Sequence, residues 1–212
     1  MKIVQIPNGA FLENSYLVID EASGDCAIVD PGDEAGLILH KAELLAVRTT
    51  AVWLTHAHVD HVAGVRRIRE ATGAPVSLHP LDRPLYDRVP EQAAAFGLES
   101  DPQPPPDHAF SHGEVARVGG LSFTVRHAPG HSPGSVVLAG EGVVFSGDVL
   151  FRGSIGRADL PGGNLETLLA SIERELLVLP DSTIVYSGHG PETTIGVERR
   201  TNPFLTGAFP LG

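Results

Sequence analysis

The sequence predicts an α/β fold in which two β-sheets pack together with helices outside. Two observations point to it. Short β-rich runs alternate with amphipathic helical segments, and this strand-then-helix order occurs in two successive sets, as paired sheets with covering helices require. The 212 residues, 42% hydrophobic and 19% charged, have an ordinary globular balance. No composition break demands a second domain, so residues 1–212 are read as one.

The first set opens with strands at Lys2 to Ile6, Tyr16 to Ile19 and Cys26 to Val29, divided by Gly, Asn and Ser turns. Asp30-Pro31-Gly32-Asp33 ends the third. From Glu34 to about Val47, the apolar Leu37, Leu39, Leu44, Leu45 and Val47 suit a helix leaning on a sheet. A buried strand, Ala51 to Leu54, precedes a second helix, His61 to about Thr72, which Gly73 stops. The next strand is Pro75-Val76-Ser77-Leu78. Beyond a short helical piece, Leu81 to Val89, the proline-rich stretch 101–107 stiffens the chain into an extended segment. It is read either as a plain surface connection or as an edge shaping a cleft.

The second set has strands at Leu121 to His127, Ser135 to Leu138 and Val143 to Ser146. An amphipathic helix runs from Asn164 to Leu177, with Leu165, Leu168, Leu169, Ile172, Leu176 and Leu177 on its buried side. Thr183 to Tyr186 is a final strand, and a short helix from about Thr194 stops before Asn202-Pro203.

A formal charge of −11 argues against a nucleic-acid or membrane surface. The N-terminus lacks the apolar run of a signal peptide, and no stretch approaches the ~20 apolar residues of a membrane span. A cytoplasmic location is expected. The single cysteine, Cys26, lies in an apolar run and is expected to be a buried structural thiol.

Function points to Thr55-His56-Ala57-His58-Val59-Asp60-His61, directly after the strand ending at Leu54. Three imidazoles and a carboxylate at this density are a metal-ligand composition suited to Zn, Fe or Mn. On a helix, residues two apart point about 200° apart, so His56 and His58 could not share an ion there. In an extended segment His56, His58 and Asp60 would converge on one side, leaving His61 for a second ion. Three more donors, His131, Asp148 and His189, each follow a β-run in a glycine-bearing turn that lets separate strands converge.

Gly130-His131-Ser132-Pro133-Gly134 also fits the serine-hydrolase elbow pattern. That reading fails, because the residue after the serine is Pro133, which has no N–H for an oxyanion, and a strand follows rather than a helix. His40, His79, His108 and His112 are read as surface or packing residues. His127 could orient a ligand through a hydrogen bond, and Asp30 could anchor the His-rich loop.

Together these motifs resemble the metallo-β-lactamase superfamily, whose hallmark is His-x-His-x-Asp-His followed by a later His, Asp and His. The match spans roughly Leu17 to Leu205. Phe145 to Arg157 and Ser187 to Thr194 look like the glyoxalase II branch, and Glu198-Arg199-Arg200-Thr201-Asn202-Pro203-Phe204 like its small single-domain bacterial members. The resemblance implies an αββα sandwich of two mixed sheets, without the C-terminal helical glutathione-binding domain of full-length glyoxalase II. It implies two divalent ions, zinc first and iron or manganese as alternatives. His56, His58 and His131 would hold one, Asp60, His61 and His189 the other, and Asp148 would bridge both. The implied reaction is hydroxide attack on the carbonyl of S-(2-hydroxyacyl)glutathione, such as S-D-lactoylglutathione, or of a related acyl-thiol. Asp60 is also the candidate for steering the hydroxide's remaining proton. Where the family has a Lys and a Tyr that contact the thiol, this chain has Arg157 and Asp159. Arg157 can pair with a substrate carboxylate, whereas Asp159 does not replace a tyrosine.

Other activities are open on the same fold. A persulfide dioxygenase would use one iron held by two His and one Asp, and its last motif usually reads Ala-His-Asp-Tyr where this chain has Gly188-His189-Gly190-Pro191. Lactone hydrolysis is chemically close. True β-lactamases lack the bridging aspartate, and a binding module with structural zinc would close each ion with four protein ligands.

Overall fold

The computed structural model describes residues 1–208. Six strands lie side by side in chain order: β1 (Lys2–Asn8), β2 (Glu13–Ile19), β3 (Asp25–Val29), β4 (Arg48–Trp53), β5 (Val76–Leu78) and β6 (His108–Ala109). β1 to β3 are antiparallel in succession, and β3 to β6 are parallel. In the second sheet β7 (Val115–Val118), β8 (Leu121–His127), β9 (Val136–Gly140) and β10 (Val143–Gly147) follow one another antiparallel. A hairpin of β11 (Leu150–Phe151) and β12 (Ser154–Ile155) comes next. β13 (Ile184–Ser187) then pairs with β10 in parallel, and β14 (Thr193–Thr194) extends that edge antiparallel. The helices are α1 (Ala35–Leu44), α2 (Val59–Val62), α3 (Val65–Thr72), α4 (Arg83–Tyr86), α5 (Val89–Ala95), α6 (Leu165–Ser171) and α7 (Ile195–Thr201).

Strand alternation sorts the side chains into layers. Leu17 and Ile19 of β2 join Ile28, Val52, Ile38 and Ile68 in a core between the first sheet and its helices. Tyr16 and Val18, on the other face, join Val29, Trp53, Phe123 and Phe145 between the sheets. A third core packs Val137, Val144 and Val185 against Leu168, Ile172 and Leu176. The result is the αββα sandwich of two mixed sheets. All seven residues of β2 are buried, including its polar start Glu13-Asn14-Ser15. Cys26 is buried as expected, and burial pushes its thiol up to about 12. Among the described residues no helix is long and apolar enough to cross a membrane.

Several elements differ from expectation for local reasons. The helix expected from His61 to about Thr72 is two pieces, α2 and α3. Gly64 lies at the break, its N–H donates to Pro31 O (3.0 Å), and a Cβ there would meet Gly32 O at 2.2 Å. The segment Asn164 to Leu177 passes from α6 into a π turn over Ile172–Leu176. β6, β7, β11, β12 and β14 were not expected; each is only two to four residues long. The proline-rich stretch is a strap across α3 and α4. Pro102, Pro104 and Pro105 accept hydrogen bonds from Arg66 Nε (2.9 Å), Tyr86 Oη (2.7 Å) and Arg69 Nη1 (2.8 Å).

Candidate metal centre

The predicted ligands all lie just past the C-terminal ends of four strands. His56, His58, Asp60 and His61 follow β4, while His131, Asp148 and His189 follow β8, β10 and β13. β8, β10 and β13 run in one direction, so their ends share one edge of the second sheet. The two sheets are stitched where the loops meet: Val136 N donates to Thr55 O (2.8 Å) and Asn14 N to Gly188 O (2.7 Å). A Cβ on Gly188 would meet Asp148 Oδ1 at 2.1 Å and His61 Cε1 at 2.6 Å. Only glycine lets the backbone pass this close.

The donors fall into two triads. His56, His58 and His131 bring ligand atoms within 4.8 Å of one another, and so do Asp60, His61 and His189. The grouping of Asp60 with His56 and His58 expected from spacing alone is overturned, and the grouping with His61 and His189 implied by the resemblance is the one observed. The extended run ends at His58 (ψ 149°), and α2 starts at Val59, which turns Asp60 toward His61 and His189. Asp148 stands between the triads. One oxygen, Oδ2, is 3.5 Å from His131 Nε2 and 3.6 Å from His189 Nε2; the other, Oδ1, is 3.4 Å from His61 Nε2.

This geometry fits divalent ions better than it fits a hydrogen-bond network. His131 Nε2 faces His58 Nδ1 at 2.8 Å and His56 Nε2 at 3.2 Å, and no single proton can serve three converging lone pairs. An ion bound at about 2.0–2.1 Å by each imidazole can. Burial, reinforced by neighbouring imidazoles, pushes His56 well below the ordinary histidine range and His58 down to about 3. Both are neutral near pH 7, which is the ligating form. Around the second triad, His61 Nε2 and Asp148 Oδ1 are buried without a hydrogen-bond partner among the described residues. Burial would lift the Asp148 carboxyl, but His61, His131 and His189 outweigh it and hold it below the usual carboxylate range. His61 shows the converse, with burial overcome by Asp148 and Asp60 so that its value is raised.

The far nitrogens are spoken for. His61 Nδ1 lies 3.1 Å from Asp30 Oδ2, and His131 Nδ1 lies 2.8 Å from Arg157 O. A proton held on each Nδ1 leaves Nε2 free to face the centre. Asp30 therefore anchors the loop as anticipated. It also accepts from Thr55 N (2.7 Å) and Thr55 Oγ1 (2.5 Å). To do so it sits at φ +47°, a left-handed conformation that costs a non-glycine residue about 1–2 kcal/mol. His127 supports the His131 turn rather than a ligand, with Nε2 2.9 Å from Pro133 O and its ring stacked on His79.

Three supporting residues were not anticipated. Asp82, fully buried, accepts from Ala57 N (2.9 Å), Ser132 Oγ (2.7 Å) and Gly134 N (2.5 Å), so one carboxylate ties the His56–His58 loop to the His131 turn. This also disposes of Ser132 as a nucleophile. Gln92 of α5 accepts from Val59 N (3.2 Å) and donates to Ala57 O (3.0 Å). Buried Glu13 accepts from Asn8 Nδ2 (2.9 Å) beneath His61. The polar run Glu13-Asn14-Ser15 leading into an apolar strand was a readable signal; Asp82 and Gln92 had none.

The triads open onto a cleft of about 780 Å³ with mainly apolar walls, among them Phe11, Leu85, Phe96 and Phe151. Phe11 and Phe96 meet edge to face at 5.2 Å. Arg157 lines this cleft too, but its guanidinium is engaged by Asp159 through two hydrogen bonds of 2.7 and 2.8 Å.

The family model for the metallo-beta-lactamase superfamily matches residues 8–189. The hydroxyacylglutathione hydrolase GloC of Haemophilus influenzae is 41% identical over 209 residues, covering 97% of this chain and 98% of its own. Among solved structures, TTHA1623 in a di-iron-bound form is 46% identical with a TM-score of 0.88, covering 95% of this chain and 100% of that one. The B3 metallo-beta-lactamase BLEG-1 is 41% identical with a TM-score of 0.91, covering 97% and 100%.

Proposed function

This chain belongs to the metallo-β-lactamase superfamily, and from that premise we propose that it is a thioester hydrolase that works with two divalent ions. Its substrate is S-(2-hydroxyacyl)glutathione or a related acyl-thiol. The observation that carries this reading is the pair of donor triads on either side of Asp148, opening onto an apolar cleft. The likeness to a hydroxyacylglutathione hydrolase over nearly the full length of both chains supports the substrate class. His56, His58 and His131 would hold one ion and Asp60, His61 and His189 the other, with Asp148 between them. The donors suit zinc, and iron or manganese as well.

When bound, such ions lower the pKa of water toward ~7 and polarise a carbonyl oxygen. The chain's own residues do the rest. Asp30 and the Arg157 carbonyl fix the rings of His61 and His131 with Nε2 inward. Asp60, whose Oδ2 lies 3.3 Å from His189 Nε2 among the donors of its triad and which lines the cleft, is also the candidate for steering the hydroxide's remaining proton. The apolar walls exclude bulk water around the thioester. The departing thiolate needs no dedicated acid, since a free thiol has a pKa of only ~8.5.

The test is thiol release from S-D-lactoylglutathione by purified protein, with metal content measured on the same sample. Turnover with two ions per chain is expected. Full loading without cleavage of any acyl-thiol would overturn the thioester reading. A second reading, β-lactam hydrolysis, is favoured by the likeness to the B3 enzyme, and nitrocefin turnover in the same sample would reveal it. One iron per chain with oxygen uptake on glutathione persulfide would replace both with the dioxygenase reading.

A further inference from the structure

One wall of the cleft is a single helical face. Arg88, Glu91, Gln92, Ala95 and Phe96 line it, the i, i+3, i+4, i+7, i+8 spacing of one stripe on α5 and its two flanking residues. Val89 and Ala93 are buried in the core instead. Within the stripe, Gln92 is committed to the His-rich loop and Phe96 to Phe11. Arg88 and Glu91 remain. Both are exposed, and neither side chain makes a hydrogen bond or ion pair with any described residue. The other arginine on the cleft, Arg157, is already neutralised by Asp159.

An uncommitted cation and an uncommitted anion therefore stand one helical turn apart beside the candidate metal centre. Residues three apart on a helix have their Cβ atoms about 5–6 Å apart, so the two side chains can flank one small group bearing both charges. A guanidinium grips a carboxylate through two parallel hydrogen bonds, and a carboxylate accepts from an ammonium. We propose that Arg88 and Glu91 form a subsite for an α-amino-acid head group carried by the thiol half of the substrate. Arg88 takes its carboxylate and Glu91 its ammonium. The chain between head group and thioester lies along Ala95, Phe96 and Leu85. A neutral thiol, or one with a lone negative charge, uses this pair incompletely. The inference rests on the thioester reading of the site and goes beyond it by assigning the thiol's recognition to α5.

Three probes test it: S-D-lactoylglutathione, the same compound acetylated on its amino group, and S-D-lactoyl-N-acetylcysteamine, which has no head group. KM should rise along this series in the unmodified protein. Arg88→Met and Glu91→Gln should each raise KM for S-D-lactoylglutathione roughly five- to tenfold, with kcat changed by less than about twofold. Neither should alter KM for the N-acetylcysteamine thioester, and Glu91→Gln should erase the discrimination between the first two probes. If both variants keep the KM for S-D-lactoylglutathione while it is turned over, the subsite is overturned and the hydrolase stands. Equal KM for all three probes in the unmodified protein would do the same. If none of the three is cleaved by the metal-loaded protein, the thioester reading falls and the subsite falls with it.

Discussion

Replacing Asp82 with alanine should cost this protein both stability and metal affinity, although Asp82 touches no candidate ligand. Its side chain is fully buried and accepts three hydrogen bonds, from Ala57 N, Gly134 N and Ser132 Oγ. Truncation would leave two main-chain N–H groups without acceptors. Ser132 would suffer less, because Ser135 Oγ already lies 2.7 Å from its hydroxyl. At about 1–3 kcal/mol for each orphaned buried group, the gross loss is roughly 2–6 kcal/mol. Part is returned because a buried carboxylate no longer has to be desolvated, so a net loss of about 1–4 kcal/mol is expected. For a chain of this size that corresponds to a fall in Tm of roughly 2–16 °C. Asp82→Asn should fall between, since an amide keeps one acceptor oxygen but turns an NH2 toward one of the N–H donors. Ser132→Ala should cost less than about 1 kcal/mol. Urea denaturation of the three variants, paired with a chelator competition for metal, measures both effects. An Asp82→Ala protein with unchanged midpoint and unchanged metal affinity would show that the two loops are held by something else.

Three further outcomes are expected. Gly188→Ala would drive a methyl group into Asp148 Oδ1 and His61 Cε1; metal affinity measured by chelator competition should drop by about 10–100-fold, the usual range for damage around a metal site. Phe123→Ala, between the sheets against Trp53 and Phe145, should cost about 3–5 kcal/mol in chemical denaturation. Asp20 accepts from Gly120 N, Ala22 N and Ser23 Oγ, which hold its carboxyl below the ordinary range. Its contribution is therefore present above the unfolded carboxyl value of ~3.9 and is lost as pH falls through the lower folded value. Asp20→Asn should be less stable than the parent at pH 7, and the gap in urea midpoints should close in acid.

What could be read from the residues in order was whatever has a local cause. His56, His58, Asp60 and His61 lie within six positions, and three glycine-bearing turns flag the remaining donors, so the seven candidate donors that the structure brings together were legible. The layered architecture was legible too, because strand alternation and helical stripes are short-range patterns. The side on which Asp60 falls was not legible from spacing alone, because it depends on where α2 begins; the family resemblance supplied it. Gly64 breaks a helix through contact with a carbonyl some thirty residues upstream, and nothing near Gly64 announces it. Asp82 and Gln92 serve loops 25 and 35 residues away from them in the chain. β6 and β14, at two residues each, are strands only because a neighbour offers an edge.

The two sheets each contribute to the candidate centre, and under the proposed assignment this makes the ions fasteners between the halves of the polypeptide. His56 to His61 emerge early during synthesis, while His131, Asp148 and His189 emerge late. Neither triad is complete within the first half, because one waits for His131 and the other for His189. A nascent chain thus presents only weak partial chelates until its second sheet docks, and high-affinity capture marks completion of the sandwich. Conversely, stripping the ions removes a cross-brace between two separately cored layers, so chelation should loosen the seam between the sheets before it melts either one.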